Sequence, residues 1–116
     1  MRFLKCIGKI NFKISNGMQS RFPRQTYERN AELYKMLAHP KRLEILNTLY
    51  LGDASLEELT DILEAPKPYV CQHLAMLKQA RVVKVNKKGK SAHYHLVDKR
   101  IVSPCKVLKA LWENSK

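Results

Sequence analysis

The stretch Asp53–Val97, DASLEELTDILEAPKPYVCQHLAMLKQARVVKVNKKGKSAHYHLV, decides the fold, and it changes sign at one bond. From Asp53 to Glu64 it holds five carboxylates and no Lys or Arg; from Ala65 to Val97 it holds seven Lys or Arg and no carboxylate. An apolar pattern runs through both halves. Leu56, Leu59 and Leu63 recur at helical spacing, and Val70, Leu74 and Leu77 do so again beyond the turn Ala65-Pro66-Lys67-Pro68. Ser55-Leu56-Glu57-Glu58 opens the first of these helices as a capping box, in which Ser55 accepts from the Glu58 amide and the Glu58 carboxylate reaches back. Two short helices with one buried stripe each, joined by a tight turn, fit a helix-turn-helix. Val82, Val83 and Val85 then begin a strand, and His93 to Val97 return it, with Asn86–Ser91 and its three lysines as the turn. An acidic support helix, a cationic reading helix and a cationic hairpin together suit a polyanion with a groove, which is double-stranded DNA.

Upstream, a helix is predicted from about Thr26 to Leu37 with Leu33, Met36 and Leu37 as its apolar face. It ends at Ala38-His39-Pro40, because the residue before proline avoids helical angles. Pro40 suits the first turn of the next helix, where no donor is needed. Leu43, Leu46, Leu49 and Tyr50 should be its core face, and Gly52 ends it. Downstream, a last helix is predicted from about Asp98. Its stripe of Ile101, Cys105, Leu108 and Trp112 suits packing against another helix, including its own copy. Pro104 costs roughly 3 kcal/mol in a helix interior, so the helix either starts near Ser103 or kinks there. Residues 1–25 read as a basic N-terminal arm and residues 26–116 as the folded domain. Met18 would serve equally as a start, which leaves open whether residues 1–17 belong to the native protein.

The 116 residues fit one domain, and the formal charge of +12 makes a duplex nucleic acid or an anionic membrane the natural partner. No apolar run approaches the ~18 residues that span a bilayer. Lys5, Lys9 and Lys13 interrupt any signal-peptide core, so a cytoplasmic location is expected. Cys6, Cys71 and Cys105 form no CxxC pair and no zinc-ribbon spacing, and read as reduced thiols. The chain has no nucleophile elbow and no glycine-rich phosphate loop; it is read as a non-enzyme without a cofactor.

Three blocks of sequence carry a resemblance: Leu37-Ala38-His39-Pro40-Lys41-Arg42-Leu43-Glu44-Ile45-Leu46, then Leu59 to Leu63, then Val70-Cys71-Gln72-His73-Leu74-Ala75-Met76-Leu77. Lys88-Gly89-Lys90 through Tyr94-His95-Leu96 continues it. Residues 26–114 thereby resemble the ArsR/SmtB-type family of small dimeric bacterial repressors. The resemblance implies a mainly α (α+β) winged helix-turn-helix, with about five helices and a two-stranded β-hairpin wing, dimerising through its terminal helices. It also implies a homodimer whose reading helices enter successive major grooves of a near-palindromic operator and leave when an effector binds. Many members sense metals, and here the chain departs from the pattern. The stretch Leu56 to Asp61 lacks the cysteines of one metal site; of the other, only Asp98 survives, with Arg100, Leu111 and Asn114 in the remaining places. No metal site is therefore expected, since a divalent ion needs most of its shell from the protein.

On the reading helix, Pro68, Gln72, Ala75 and Gln79 lie opposite the core, flanked by Tyr69 and Cys71. Gln72 can bond bidentately to an adenine edge, and Tyr69 can reach a phosphate or a thymine methyl. Lys67 sits at the helix start, where backbone amides also favour phosphate. Lys87, Lys88 and Lys90 at the wing suit phosphates or the minor groove. Position 71 is often serine in the family, so Cys71 weakens one hydrogen bond. Lys67, Pro68, Tyr69, Cys71, Gln72, Lys87, Lys88 and Lys90 are thus the expected DNA contacts. His93 and His95 alternate on one strand face, the geometry of a metal pair, but a solvent-facing role fits them better; His73 reads as a half-buried packing residue. Cys105 sits in the apolar stripe as a small hydrophobe, or else senses oxidants by pairing with Cys6, Cys71 or its dimer mate. Two rivals stand beside the thiol-responsive repressor: a metal-responsive repressor with an atypical Cys/His site, and a protein- or RNA-docking module that reads no operator.

Overall fold

The computed structural model describes residues 19–114, which divide into two units between Glu32 and Leu33. Helix α1 (Arg24–Leu37) begins two residues before the expected start. In the first unit the Tyr27 hydroxyl accepts from the Phe22 amide at 3.1 Å, and the two rings meet edge-on at 6.0 Å.

The second unit is built on helix α2 (Pro40–Leu51), with His39 as its N-cap: Nδ1 accepts from the Lys41 amide at 3.1 Å, and Pro40 fills a first-turn position that needs no donor. The core face of α2 differs from the expected one. Ile45, Leu46 and Leu49 are buried, whereas Leu43 and Tyr50 lie 37% and 47% exposed. The true stripe is Arg42, Ile45, Leu46, Leu49, spaced i, i+3, i+4, i+7, and its first member is a charged residue rather than an apolar one.

Strand β1 (Ala54–Ser55) leads into helix α3 (Leu56–Leu63) through the capping box. Ser55 Oγ accepts from the Glu58 amide at 3.1 Å and a Glu58 carboxylate oxygen accepts from the Ser55 amide at 2.8 Å. Helix α4 (Lys67–Gln79) follows. Both helices end on left-handed residues that are not glycine, Glu64 (φ 50°) and Arg81 (φ 64°). At the end of α4 the Val82 amide returns to the Leu77 carbonyl at 3.2 Å and the Arg81 amide to Lys78 at 2.9 Å, the Schellman pattern. At the end of α3 the amides of Ala65 and Glu64 return to Thr60 and Asp61, and the Lys41 ammonium donates to the Leu63 carbonyl at 3.1 Å. The change of charge sign thus coincides with a helix stop.

Strands β2 (Val83–Lys88) and β3 (Ser91–Leu96) form the hairpin, and β1 adds to its other edge, giving the antiparallel order β1-β3-β2. The expected two-stranded wing is therefore a three-stranded sheet. Two residues are too few to announce a strand by periodicity. The turn is also tighter than expected: Lys88 pairs with Ser91, which leaves only Gly89 and Lys90 as the loop. Gly89 supplies the positive φ (60°) that a two-residue hairpin demands. After a 3₁₀ turn (Lys99–Val102), helix α5 (Ser103–Asn114) carries Pro104 in its first turn, the unkinked alternative. It buries no residue.

Ser55→Ala should remove about 1 kcal/mol of stability, while Arg81→Gly, which relieves the left-handed side chain, should add about 0.5–1 kcal/mol. Urea unfolding of both variants checks this, and an unchanged midpoint in either contradicts the assigned cap.

Candidate nucleic-acid interface

Helix α4 faces two ways. Val70, His73, Leu74 and Leu77 are buried against α2, α3 and the sheet, and Lys67, Pro68, Tyr69, Cys71, Gln72 and Ala75 are all exposed. The structure thus brings the expected helix residues onto one outer surface. It also shows what Lys67 does without a ligand: its ammonium lies 3.3 Å from a Glu57 carboxylate oxygen at the start of α3. The Glu57 carboxyl is held below the usual range by its own backbone amide and then by the hydrogen bond and charge of Lys67. Both side chains are more than half exposed, so the pair is weak and can open. Tyr94 on β3 lies beneath this surface; burial raises its hydroxyl pKa, and the nearby Cys71 and Glu57 raise it further.

The wing residues are exposed but do not share a face. Lys84, Asn86 and Lys88 stand opposite His95, His93 and Ser91, while Lys87 stands opposite Ala92 on the other side and Lys90 occupies the turn. One sheet face therefore carries two lysines and two histidines. Glu58 feels the charge of His93, but its carboxylate is engaged in capping α3. Among the described residues no three His, Cys, Asp or Glu side chains converge as metal ligands.

Asp98 is engaged as well. Its carboxylate accepts from the Arg100 amide at 2.9 Å and takes the Arg100 guanidinium at 2.8 and 3.1 Å, which holds its pKa at about 2. Arg100 occupies the place where the resemblance puts a second metal ligand, and its guanidinium sits on the surviving carboxylate. Of the cysteines, Cys71 is exposed and Cys105 partly buried, both as free thiols; Cys6 lies outside the described residues, as does most of the basic arm.

The sequence reading missed one constellation. His73 is buried, not half-buried, and it accepts a hydrogen bond from Arg42 while packing against His39 and Tyr69. Burial lowers the His73 pKa, and the charges of His39 and Arg42 lower it further. The helical wheel brings His73 toward the core, but no spacing rule links it to Arg42, thirty-one residues earlier.

No helix in the described residues is long and apolar enough to cross a membrane. A model of the arsR family of bacterial regulatory proteins matches residues 39–85. An HTH-type transcriptional regulator of Methanocaldococcus jannaschii is 35% identical over 88 residues, covering 75% of this chain and 99% of that protein. The HTH-type transcriptional repressor SmtB of Mycobacterium tuberculosis is 38% identical over 76 residues, 66% of this chain and only 56% of that one. The transcriptional repressor PagR of Bacillus anthracis is 35% identical over 82 residues, 70% of this chain and 82% of its own. Its crystal structure superposes with a TM-score of 0.65 at 32% identity, covering 74% of this chain and 99% of that chain.

Because Glu57 both occupies Lys67 and sets a carboxylate beside the outer face of α4, Glu57→Gln should tighten binding to any duplex about two- to fivefold. Fluorescence anisotropy at fixed salt reads this, and weaker binding by the variant contradicts the placement.

Proposed function

Because the chain belongs to the arsR family of bacterial regulatory proteins, we propose that it is a homodimeric transcriptional repressor reading a near-palindromic operator in double-stranded DNA. The observation that carries this is the outer face of α4. Small and amide side chains, Pro68, Cys71, Gln72 and Ala75, let a helix sit deep in the major groove, and Tyr69 and Lys67 flank them at its leading end. Gln72 is assigned to a base edge, while Lys67, Lys87, Lys88 and Lys90 hold phosphates. No catalytic role is assigned, and a cytoplasmic location fits a DNA partner.

The dimer is supported by α5. Val107, Leu108, Leu111 and Trp112 are all more than half exposed on a helix that buries nothing in its own chain. Four large apolar side chains on one short helix need a cover, and a second copy supplies it with the symmetry that an inverted repeat requires. The effector is assigned to thiol chemistry rather than metal. Cys105 lies at the start of this helix, Cys71 lies on the reading face, and the Asp98 carboxylate is engaged by Arg100.

Four measurements test the reading. Binding to duplex DNA should weaken with salt at a log-log slope of roughly −5 or steeper, and an inverted repeat from the gene's upstream DNA should be preferred over random duplex of equal length. A flat slope, or no preference, sinks the operator reading and favours a docking module. Leu108→Glu should shift the protein to a monomer in sedimentation and weaken operator binding; a variant that stays dimeric moves the interface elsewhere. Peroxide should release operator from wild type but not from Cys105→Ser. Equal behaviour of the two removes the thiol assignment.

A further inference from the structure

His73 is the one polar residue among the buried side chains described, and it sits on the helix that carries the reading face. Its ring is fixed from three directions. Arg42 Nε donates to its Nδ1 at 3.1 Å, the His39 ring packs against it with centroids 4.4 Å apart, and Tyr69, one turn earlier in α4, meets it edge-on at 4.5 Å. Arg42 is tied in turn to the Met36 carbonyl near the end of α1 at 2.8 Å. His39 Nδ1 accepts the Lys41 amide. His73 therefore accepts at Nδ1, which requires a neutral ring with its proton on Nε2.

The titratable and charged groups facing His73 are Arg42 from α2, His39 from the turn before α2, and Tyr69 from α4 itself. A proton added at Nδ1 would turn the acceptor into a donor aimed at the Arg42 N–H. It would also set a second positive charge beside the guanidinium in a buried place. The contact cannot survive that change, and Tyr69 would lose the ring it leans on.

We propose that His73 is a positioning residue for DNA reading: its neutral ring, held by Arg42, seats Tyr69 and the first turn of α4 for the groove, and a proton on that ring unseats them. The inference rests on the assignment of α4 to the major groove. Its sign is distinctive. Acid ordinarily adds positive charge to a DNA-binding surface and favours phosphate, whereas a proton on His73 weakens binding.

The test uses the full chain and a labelled duplex of the gene's upstream DNA, with a random duplex beside it, at fixed salt near pH 7.5 and near pH 5.5. His73→Asn is compared with wild type, because its amide oxygen can accept from Arg42 yet never gains a proton. Wild type should lose about fivefold in affinity for the upstream duplex in acid, while His73→Asn keeps its own affinity or tightens. Parallel profiles for the two proteins overturn the proposal. A measurement on DNA-free wild type guards against a variant that fails to fold: in an NMR titration the Tyr69 ring resonances should follow the His73 midpoint, and Tyr69 resonances that ignore it overturn the proposal. A wild type that binds neither duplex near pH 7.5 overturns the groove assignment itself, and the proposal with it.

Discussion

Helix α4 buries the stripe Val70, His73, Leu74 and Leu77 against Ile45, Leu46 and Leu49 of α2 and the stripe of α3, and the rest of the molecule is arranged around that contact. A helix with one face held to a core must offer its opposite face to whatever lies outside. Burying a side chain such as Leu74 contributes about 1.5–3 kcal/mol, so the rotation of α4 about its own axis is strongly set. Gln72 and Tyr69 point outward because their neighbours point in. The cap at Ser55 and the Schellman stop at Arg81 define where the support helix begins and where the reading helix gives way to the wing.

Charge is distributed to match. The carboxylates fall on α3 and the turn leading to it, and the lysines on α4 and the wing, with Glu64 in the left-handed stop that divides them. Where the two sets touch, at Glu57 and Lys67, they form an exposed pair that a phosphate can displace. The partly buried cation follows a different rule. Arg42 takes the first position of the α2 core stripe only because the carbonyl of Met36 and the Nδ1 of His73 receive its donors. One guanidinium thereby joins the end of α1 to the reading helix.

Much of this was legible in the sequence, and the misses have physical causes. The capping box, the start of α2 at Pro40, the inner stripes of α3 and α4, and Pro104 in the first turn of a helix all depend on local rules that act within a turn or two. On the core face of α2, Leu46 and Leu49 were read correctly, while Leu43 and Tyr50 were taken for Arg42 and Ile45 because the inward placing of Arg42 depends on acceptors in α1 and α4. Strand β1 was missed because two residues carry no period; its pairing with His93 and Tyr94 exists only once the chain has folded back. The wing turn was drawn too wide because lysines are poor strand formers by composition, yet Lys87 and Lys88 are held in register by Ala92 and Ser91. At the candidate interface, the outward residues of α4 followed from the helical wheel, while the partners Glu57 and Arg42 came from other elements and had no signature in spacing.

The proposed interface divides phosphate contacts and base contacts between different side chains of the same surface. Its most direct test is binding of Gln72→Ala across a set of operator duplexes, each altered at one base pair, with the salt dependence measured in parallel. The variant should lose discrimination at one base pair in each half-site, by about 1–3 kcal/mol, with the salt slope unchanged. Uniform weakening on every duplex, or a shallower salt slope of the kind expected on losing Lys88, would contradict it.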